Sequence, residues 1–563
     1  MTNQYIAKIF KELAQLLEIK GENPYKIRAY QNAARVIESL PFSIETMVKE
    51  GKDLTKLPAI GEQIAKKIIE IVTTGRLQKL EQLKAEFPKG ILSLLSIEGL
   101  GAKHIRTLYE TLHFQTIDEL EKLAKEHKIR NIKGFGPKLE EKIANGIRLY
   151  KQEGIRFLYS EAEPHAKELH QFLLKAPTII TVVIAGSFRR CKESVGDLDI
   201  VAAASQPDKV IDYFTKFIQV AHIVSKGDTR STVVLNNGLQ VDLRVVKESQ
   251  FGAALHYFTG SKAHVVAIRK MAQEAGFKIN EYGLFRGDSI IASENEAEIY
   301  NALGMDYIPP QLREDRGEIA VASKRNLPQL LSLESIRGDM HLYSNYSYGS
   351  SSIKELATAA MAKGYSYIAI CDHFGSLDLE KIEGYLEEIE ALNRTFTDFK
   401  IFKGVEVDIL EDGSLALSDE ILRSFDIVYI AVNSSFKLSK DAQTKRLLRA
   451  LENPYIHAIA HLTSRLLHER PPIELDYLTL FDKILERKVL LEINSQPNRL
   501  DISDILTKEA KFKGIKFLIN SAAASVEELN YMHYGVCQAR RGWLEQEDVL
   551  NCLEYNALLT TLP

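Results

Sequence analysis

At 563 residues the chain is too long for one ordinary core, so two to four domains are expected, and 45% hydrophobic with 26% charged residues is the balance of a soluble globular protein. No apolar run is long enough to span a membrane, the charged amphipathic start MTNQYIAKIFKELAQLL is not a signal peptide, and four scattered cysteines without a CxxC (Cys191, Cys371, Cys537, Cys552) suit a reducing cytosol better than a disulfide framework. The net charge of −4 is uneven: residues 1–150 hold 25 Lys and Arg against 19 Asp and Glu, which hints at a polyanionic partner or, on its own, at no more than solvated lysine faces.

Residues 1–150 read as short helices, with apolar residues at helical spacing as in IAKIFKELAQLLEI. A pattern repeats within them: LPAIGEQIAKKI (57–68), IEGLGAKHIRTL (97–108) and IKGFGPKLEEKI (132–143), each an apolar lead, a small-x-Gly turn and a helix. The turns centre on Ala59 and Gly61, Gly99 and Gly101, Gly134 and Gly136. Glycine permits the tight turn, and the helix that follows offers N–H groups to a phosphate, so three helix-hairpin-helix motifs gripping a nucleic-acid backbone are expected. For a single copy, a plain helix-packing unit would be the better reading.

Residues 151–315 change to α+β, with strands in TIITVVIAGS, GDLDIVAAA and TRSTVVLNNGLQVDLRVV and an antiparallel or mixed sheet. The chemistry lies in GSFRRCKESVGDLDIV (186–201). On a strand, side chains two apart share a face, so Asp197 and Asp199 project together, and Asp242, mid-strand among apolar residues, is the candidate third carboxylate of a hard-cation site. The Gly186 turn, the Ser187 hydroxyl and a guanidinium from Arg189 or Arg190 suit a polyphosphate. Three carboxylates for two metal ions beside such a cradle point to in-line phosphoryl transfer. Residues 316–335 read as a polar connector without period. From about 336, strands alternate with helices, which implies a largely parallel sheet or barrel.

Gly186-Ser187, Arg190, Glu193 and Gly196-Asp197-Leu198-Asp199, with YFTGS (257–261) and NPYKIRAYQNAARVI (23–37), resemble family X DNA polymerases over residues 1–315. The resemblance implies a helical N-terminal domain (1–85), a helical fingers-type region with two more hairpins (86–150), a nucleotidyltransferase palm (151–256) and a nucleotide-binding, thumb-type subdomain (257–315). It implies Mg²⁺ or Mn²⁺, two ions, on Asp197, Asp199 and Asp242, with Asp242 assisting deprotonation of the primer 3′-hydroxyl. Gly186, Ser187, Arg190 and Gly196 would hold the triphosphate; Tyr257, Phe258 and Gly260 would line the sugar. Arg269 would touch the template, and Lys26, Gly61, Gly99, Gly101, Gly134 and Gly136 the DNA backbone. Where relatives carry an asparagine reading the base, this chain has Val265, with Lys262 near enough to compensate. Lys67 lies where some relatives have a Schiff-base lysine that removes a 5′-deoxyribose phosphate, and Lys26 where they bind a 5′-phosphate. A neighbouring basic position is Gln63 here, which leaves a phosphate contact or solvated surface as the alternative for Lys67.

Beyond the linker at 316–335, residues 336–563 resemble a PHP domain, through NPYIHAIAHLTSR, LEINSQPNRLDISD and YGVCQARRGWL. The resemblance implies a distorted (β/α)₇ barrel with a trinuclear metal site supporting 3′–5′ exonuclease and abasic-site chemistry. The ligand pattern is broken: the first H-x-H reads His341-Leu342-Tyr343, Tyr348 and Asn433 stand at further ligand positions, and the closing D-x-H reads Ala522-Ala523-Ala524. His341, His373, Glu406 and His461 survive as a residual set, and the expectation is a vestigial domain without strong nuclease activity. The chain is therefore expected to be a cytoplasmic, nucleoid-associated, monomeric polymerase using dNTPs on gapped or primed duplex DNA, away from membranes. The alternatives are a PHP exonuclease or abasic-site endonuclease and a non-catalytic DNA-binding scaffold.

Overall fold

The computed structural model describes residues 3–38, 44–49, 51–74, 76–88, 91–96, 100–114, 116–153, 156–374 and 378–562, in two compact units, Met1–Ile155 and Arg156–Pro563. Among the described residues no helix is long and apolar enough to cross a membrane.

The first unit is helical among its described residues, from Asn3–Lys20 to Pro137–Glu153, around one core that runs from Ile6 to Ile147. Helical spacing makes that core: Asn3–Lys20 buries Ile6, Phe10, Leu13 and Leu17 on one face, and Glu62–Thr74 buries Ile64, Ala65, Ile68 and Ile71. The described parts of the hairpins have the expected build. Short 3-10 helices at Leu54–Lys56, Ile91–Ser96 and Ile129–Asn131 precede the helices Glu62–Thr74, Ala102–Leu112 and Pro137–Glu153. Ala59 (φ 58°) and Gly134 (φ 94°) hold the same place in the first and third turns, in the left-handed region that suits glycine. Gly99, their counterpart in the second turn, lies outside the described residues.

The second unit opens with a mixed five-stranded sheet in the order Ile179–Ile184, Asp197–Ala204, Gln240–Val246, Arg230–Leu235, Val220–Lys226. Only the Asp197–Ala204 and Gln240–Val246 pair is parallel. Helices Tyr159–Leu173 and Pro207–Phe214 cover one face, onto which Leu198, Ile200, Ala202, Val241, Leu243 and Val245 point. The other face meets helix Phe251–Thr259 through Val201, Val246, Ala254 and Leu255. A three-stranded antiparallel sheet (Lys278–Asn280, Gly283–Arg286, Ser289–Ala292) packs with helices Lys262–Glu274 and Glu296–Ala302 in a separate core. The stretch 316–335 is more ordered than its polar composition suggests: it forms a helix, Glu318–Ser323, and buries Ala322 and Leu331 in the cores on either side.

The C-terminal region is a seven-stranded parallel sheet in sequential order, Gly338–Leu342, Tyr367–Ile370, Lys400–Asp408, Ile427–Ala431, Ala458–Ile459, Leu490–Asn494 and Phe517–Asn520. Its strands are buried on both faces, as helices outside and a packed interior require. The first and last strands are joined through side chains rather than a ladder: Met340 N–H donates to Asn520 Oδ1 at 3.1 Å, and the Asp339 carboxylate accepts from the Ser521 N–H at 3.2 Å. The sheet is thus a nearly closed barrel.

Candidate active site

Asp197 and Asp199 leave the sheet on the face opposite Leu198 and Ile200, and parallel register sets Asp199 directly beside Asp242. All three carboxylates therefore share the face that leads to helix Phe251–Thr259. Burial, and then the charges of Asp197 and Asp242, push the Asp199 carboxyl up to about 7. Burial and Asp242 also raise Asp197. Such mutual repulsion favours a cation among them, and an all-carboxylate donor set suits a hard divalent ion. The carboxylates are not closed into a ready-made cage: among the described residues no three His, Cys, Asp or Glu side chains converge at metal-binding geometry. Asp242 is instead engaged by the Thr232 hydroxyl on one oxygen and by Gln240 Nε2 at 2.7 Å on the other. Neither donor was legible as a partner beforehand, although Thr232 is the cross-strand neighbour of Asp242.

The turn before the acids has little freedom. Gly186 sits at φ 61°, and a Cβ there would lie 2.1 Å from Asp199 Oδ2. Ser187 follows within the one-turn helix Gly186–Arg189. The two arginines divide their work. Arg189 forms a two-pronged pair with Glu296 at 3.0 and 2.7 Å and donates to Thr259 Oγ1 at 2.7 Å. Arg313 joins the same carboxylate, and together the two guanidinia hold Glu296 at about 2 against the opposing effect of burial. Arg190 is buried, donates through Nε to Glu314 Oε1 at 3.0 Å and through Nη1 to the Thr259 carbonyl, and among the described residues has no hydrogen bond at Nη2. Gly196 has only Arg156 near it, 3.6 Å from a built Cβ.

Tyr257 and Phe258 end helix Phe251–Thr259, with ring centroids 5.1 Å apart and the Arg244 guanidinium 5.1 Å over Phe258. Gly260, at φ 70°, would bring a Cβ to 3.0 Å from Arg190 Nη1, so the YFTGS segment and the arginine are neighbours. Ser261 caps helix Lys262–Glu274 by accepting from the His264 N–H at 3.3 Å. Lys262 and Arg269 are exposed on that helix and Val265 is half-buried. His264 is structural, bridging Glu318 at 2.7 Å and Tyr300 at 2.9 Å.

In the N-terminal unit Lys26 and Lys67 line one cavity of about 590 Å³, with Tyr30, Gly61, Gln63 and Lys79 also in its wall. Sequence reasoning missed Tyr30 and Lys79, which lie too far apart in the chain for any local pattern to join them. Among the described residues Lys67 Nζ makes only a long contact, 3.4 Å, to the Gln63 carbonyl. Gly61, Gly101, Gly134 and Gly136 are exposed, with open space where a Cβ would stand.

In the barrel, the His341 and His461 side chains converge on Glu406, and the His373 side chain pairs with neighbouring Asp408. His341 Nε2 lies 3.2 Å and His461 Nε2 3.7 Å from Glu406 Oε2, whereas His373 pairs with Asp408 at 3.1 Å. Two acids that the sequence reading did not single out, buried Glu492 and half-buried Asp408, complete the network. Burial favours a neutral His341 ring, but Glu492 (2.7 Å from Nδ1) and Glu406 outweigh it and raise its pKa to about 10. Tyr343 and Asn433 act as donors here: Tyr343 OH donates to Glu406 Oε2 at 2.6 Å, and Asn433 Nδ2 donates to Glu406 Oε1 at 2.7 Å and Asp408 Oδ1 at 2.9 Å.

The barrel is docked on the sheet domain. Arg465 binds Glu193 at 2.7 Å, Tyr534 OH donates to Glu163 at 2.8 Å, the Cys537 and Cys191 thiols are 3.0 Å apart, and Trp543 is buried in the core of the 262–322 segment. All four cysteines are free.

Comparison with known proteins agrees with this geometry. Residues 1–77 match the helix-hairpin-helix domain family, 91–148 the SAM-like helix-hairpin-helix tandem, 254–314 the DNA polymerase beta thumb and 339–553 the PHP domain. The chain is 36% identical over 561 residues to "DNA polymerase/3'-5' exonuclease PolX" of Bacillus subtilis (strain 168), covering 98% of this chain and 97% of that protein. It is 26% identical over 346 residues to DNA polymerase lambda of Arabidopsis thaliana, covering 55% of this chain and 62% of the relative. It is also 23% identical over 360 residues to DNA nucleotidylexotransferase of Xenopus laevis, covering 55% and 68%. With hairpins, carboxylate-bearing sheet, thumb and barrel in this order and near full-length similarity to a relative of the same build, the chain belongs to the family X DNA polymerases that carry a C-terminal PHP domain.

Proposed function

We propose that the protein is a DNA-directed DNA polymerase that fills short gaps during repair in the cytoplasm, working as a monomer on gapped or primed duplex DNA with dNTPs. The observation that carries this reading is the parallel register of Asp199 and Asp242, with Asp197 on the same face and the Gly186 turn against Asp199. Asp197, Asp199 and Asp242 would hold two Mg²⁺ or Mn²⁺ ions, which when bound lower the pKa of a primer hydroxyl and neutralise the leaving pyrophosphate. The chain's own residues do the rest. Asp242 takes the 3′-hydroxyl proton, Nη2 of Arg190 and the Ser187 hydroxyl hold triphosphate oxygens, and Tyr257, Phe258 and Gly260 bound the sugar. Lys262 and Arg269, exposed on one helix, face nucleotide and template, and Val265 offers the base edge no hydrogen bond. The hairpin glycines let DNA phosphates approach helix N-termini, and the Lys26, Lys67, Lys79 and Tyr30 cavity takes a 5′-phosphate, with Lys67 placed for a Schiff base.

The barrel, on this proposal, is not a strong nuclease. Both oxygens of Glu406 already accept hydrogen bonds from Tyr343 and Asn433, and Ala522 and Ala524 offer no ligand atoms. The test is extension across a one-nucleotide gap. Incorporation that EDTA abolishes, with no chelator-sensitive degradation of a DNA 3′ end, supports both parts. A chelator-sensitive 3′-end degradation that survives Asp197→Ala and disappears in His373→Ala would contradict the second, and no template-dependent incorporation would contradict the first.

A further inference from the structure

Two adjacent arginines, Arg189 and Arg190, each share a carboxylate with a second arginine. Arg189 and Arg313 meet on Glu296, wholly within the sheet and thumb-type domains. Arg190 meets its counterpart on Glu314, and that counterpart is Arg541, the last residue of the barrel helix Met532–Arg541. Glu314 Oε1 accepts from Arg190 Nε at 3.0 Å and from Arg541 Nη1 at 2.9 Å. The same Arg541 Nη1 also donates to the Arg190 carbonyl at 2.8 Å, while Nη2 binds Asp504 at 2.7 Å. Arg541 is 3% exposed and Arg190 9%. Thus one barrel side chain fixes both the backbone of Arg190 and the partner of its side chain, and Asp504, held a second time by Arg316 at 2.8 Å, anchors Arg541 in turn.

Other barrel contacts fall on the same few residues. Cys537 touches Cys191, and Arg465, which also donates to the Arg499 carbonyl at 3.0 Å, pairs with Glu193. The loop between the Gly186 turn and Asp197 is therefore clamped from the barrel at Arg190, Cys191 and Glu193, while Arg190 keeps Nη2 for an incoming anion.

We propose that Arg541 of the barrel is a positioning residue for nucleotide binding: by bonding Glu314 and the Arg190 carbonyl it holds the Arg190 guanidinium toward the dNTP triphosphate. This rests on Arg190 being a triphosphate ligand. The barrel thereby completes the nucleotide site by mechanical support from a place where no metal is needed. A fork geometry is required, because one guanidinium nitrogen must serve a carboxylate and a carbonyl while the other serves Asp504, which an ammonium on a flexible stem reproduces only in part.

The test uses full-length protein in steady-state filling of a one-nucleotide gap, with affinity for gapped DNA measured separately. Arg541→Gln is expected to raise the KM for dNTP about tenfold, the effect of losing one charge-assisted hydrogen bond, with kcat and DNA affinity close to native. Arg541→Lys should recover part of the loss. Because both residues act on Arg190, Arg541→Gln combined with Glu314→Gln should be no worse than the weaker single variant. An unchanged dNTP KM in folded Arg541→Gln, or fully additive losses, overturns the inference. If Arg541→Gln fails to fold, Glu314→Gln carries the test, with the same rise expected and an unchanged KM equally fatal. Arg190→Gln separates the premises: no change in dNTP KM there removes the triphosphate role of Arg190 itself, whereas a rise there with none in Arg541→Gln removes only the role of Arg541.

Discussion

Gly186 is the residue at which the site tolerates least. Its backbone lies in the left-handed region at φ 61°, which costs an L-residue about 1–2 kcal/mol, and its missing Cβ is the space Asp199 Oδ2 occupies, 2.1 Å away. Gly186→Ala should therefore displace Asp199 and lower gap filling at least about a hundredfold, an effect of about 2.7 kcal/mol on the barrier, while the protein stays folded. Kinetics set beside a thermal melt check this, and near-native turnover would contradict it. His341 makes the converse case, a charge retained where a metal ligand would be. Its folded pKa of about 10 stands above the ordinary 6.5, so its contribution to stability is complete below about pH 6.5 and is lost as pH rises through about 10. Denaturation titrations between pH 7 and 10.5 should show this loss in the native barrel. In His341→Gln, which leaves Glu492 and Glu406 without their imidazolium and costs about 3 kcal/mol or more, that alkaline loss should be absent. At this scale the acids were legible because a strand's two-residue repeat announces them: Asp197, Asp199 and Asp242 each interrupt an apolar alternation. Glu296, Glu314 and Arg541 were not legible, since they reach Arg189 and Arg190 across 107, 124 and 351 residues of chain, and no local period encodes such a pairing.

Elements were read with more success than their ends. The three hairpins followed from glycine placement, and six of the seven barrel strands from alternating apolar segments. The opening strand Gly338–Leu342 and the brevity of Ala458–Ile459 did not, because a strand's length is set by the neighbours it pairs with. The helix Glu318–Ser323 was missed because its N-cap is Gly317, which has no side chain to announce a helix start, and because its tertiary anchor is non-local: Glu318, which also accepts from the nearby Asp315 and Arg316 N–H groups, holds buried His264. The hairpin elements carry their own prediction. Lys26 shares a cavity with Lys67 and Lys79, and each lysine that neutralises a phosphate contributes about one unit to the salt dependence of binding. Lys26→Ala should lower the slope of log K against log salt by about 0.9 on gapped DNA bearing a 5′-phosphate, and by much less on the same DNA without it. Equal slopes on both substrates would move the 5′-phosphate away from this cavity.

At the scale of the whole molecule, residues 156–563 form one compact unit, and just past the barrel's docking helix Trp543 lies in the core of the thumb-type segment with Lys508 3.6 Å over its ring. Trp543 is the only tryptophan of the chain, so its fluorescence reports this junction without labelling. Its emission should change at the same denaturant concentration as the far-ultraviolet signal of the 156–563 unit. Trp543→Ala should lower the stability of that unit by about 3–5 kcal/mol, and a native midpoint in the variant would show the junction to be dispensable. On this account the barrel serves the sheet and thumb-type domains by what it holds in place. The central claim is that Asp197, Asp199 and Asp242 together carry nucleotidyl transfer, and its most direct test is single-nucleotide gap filling with Mg²⁺ by native protein and by Asp242→Ala. The account predicts a fall of at least about a hundredfold in turnover with DNA affinity retained; equal extension by the two proteins would contradict it.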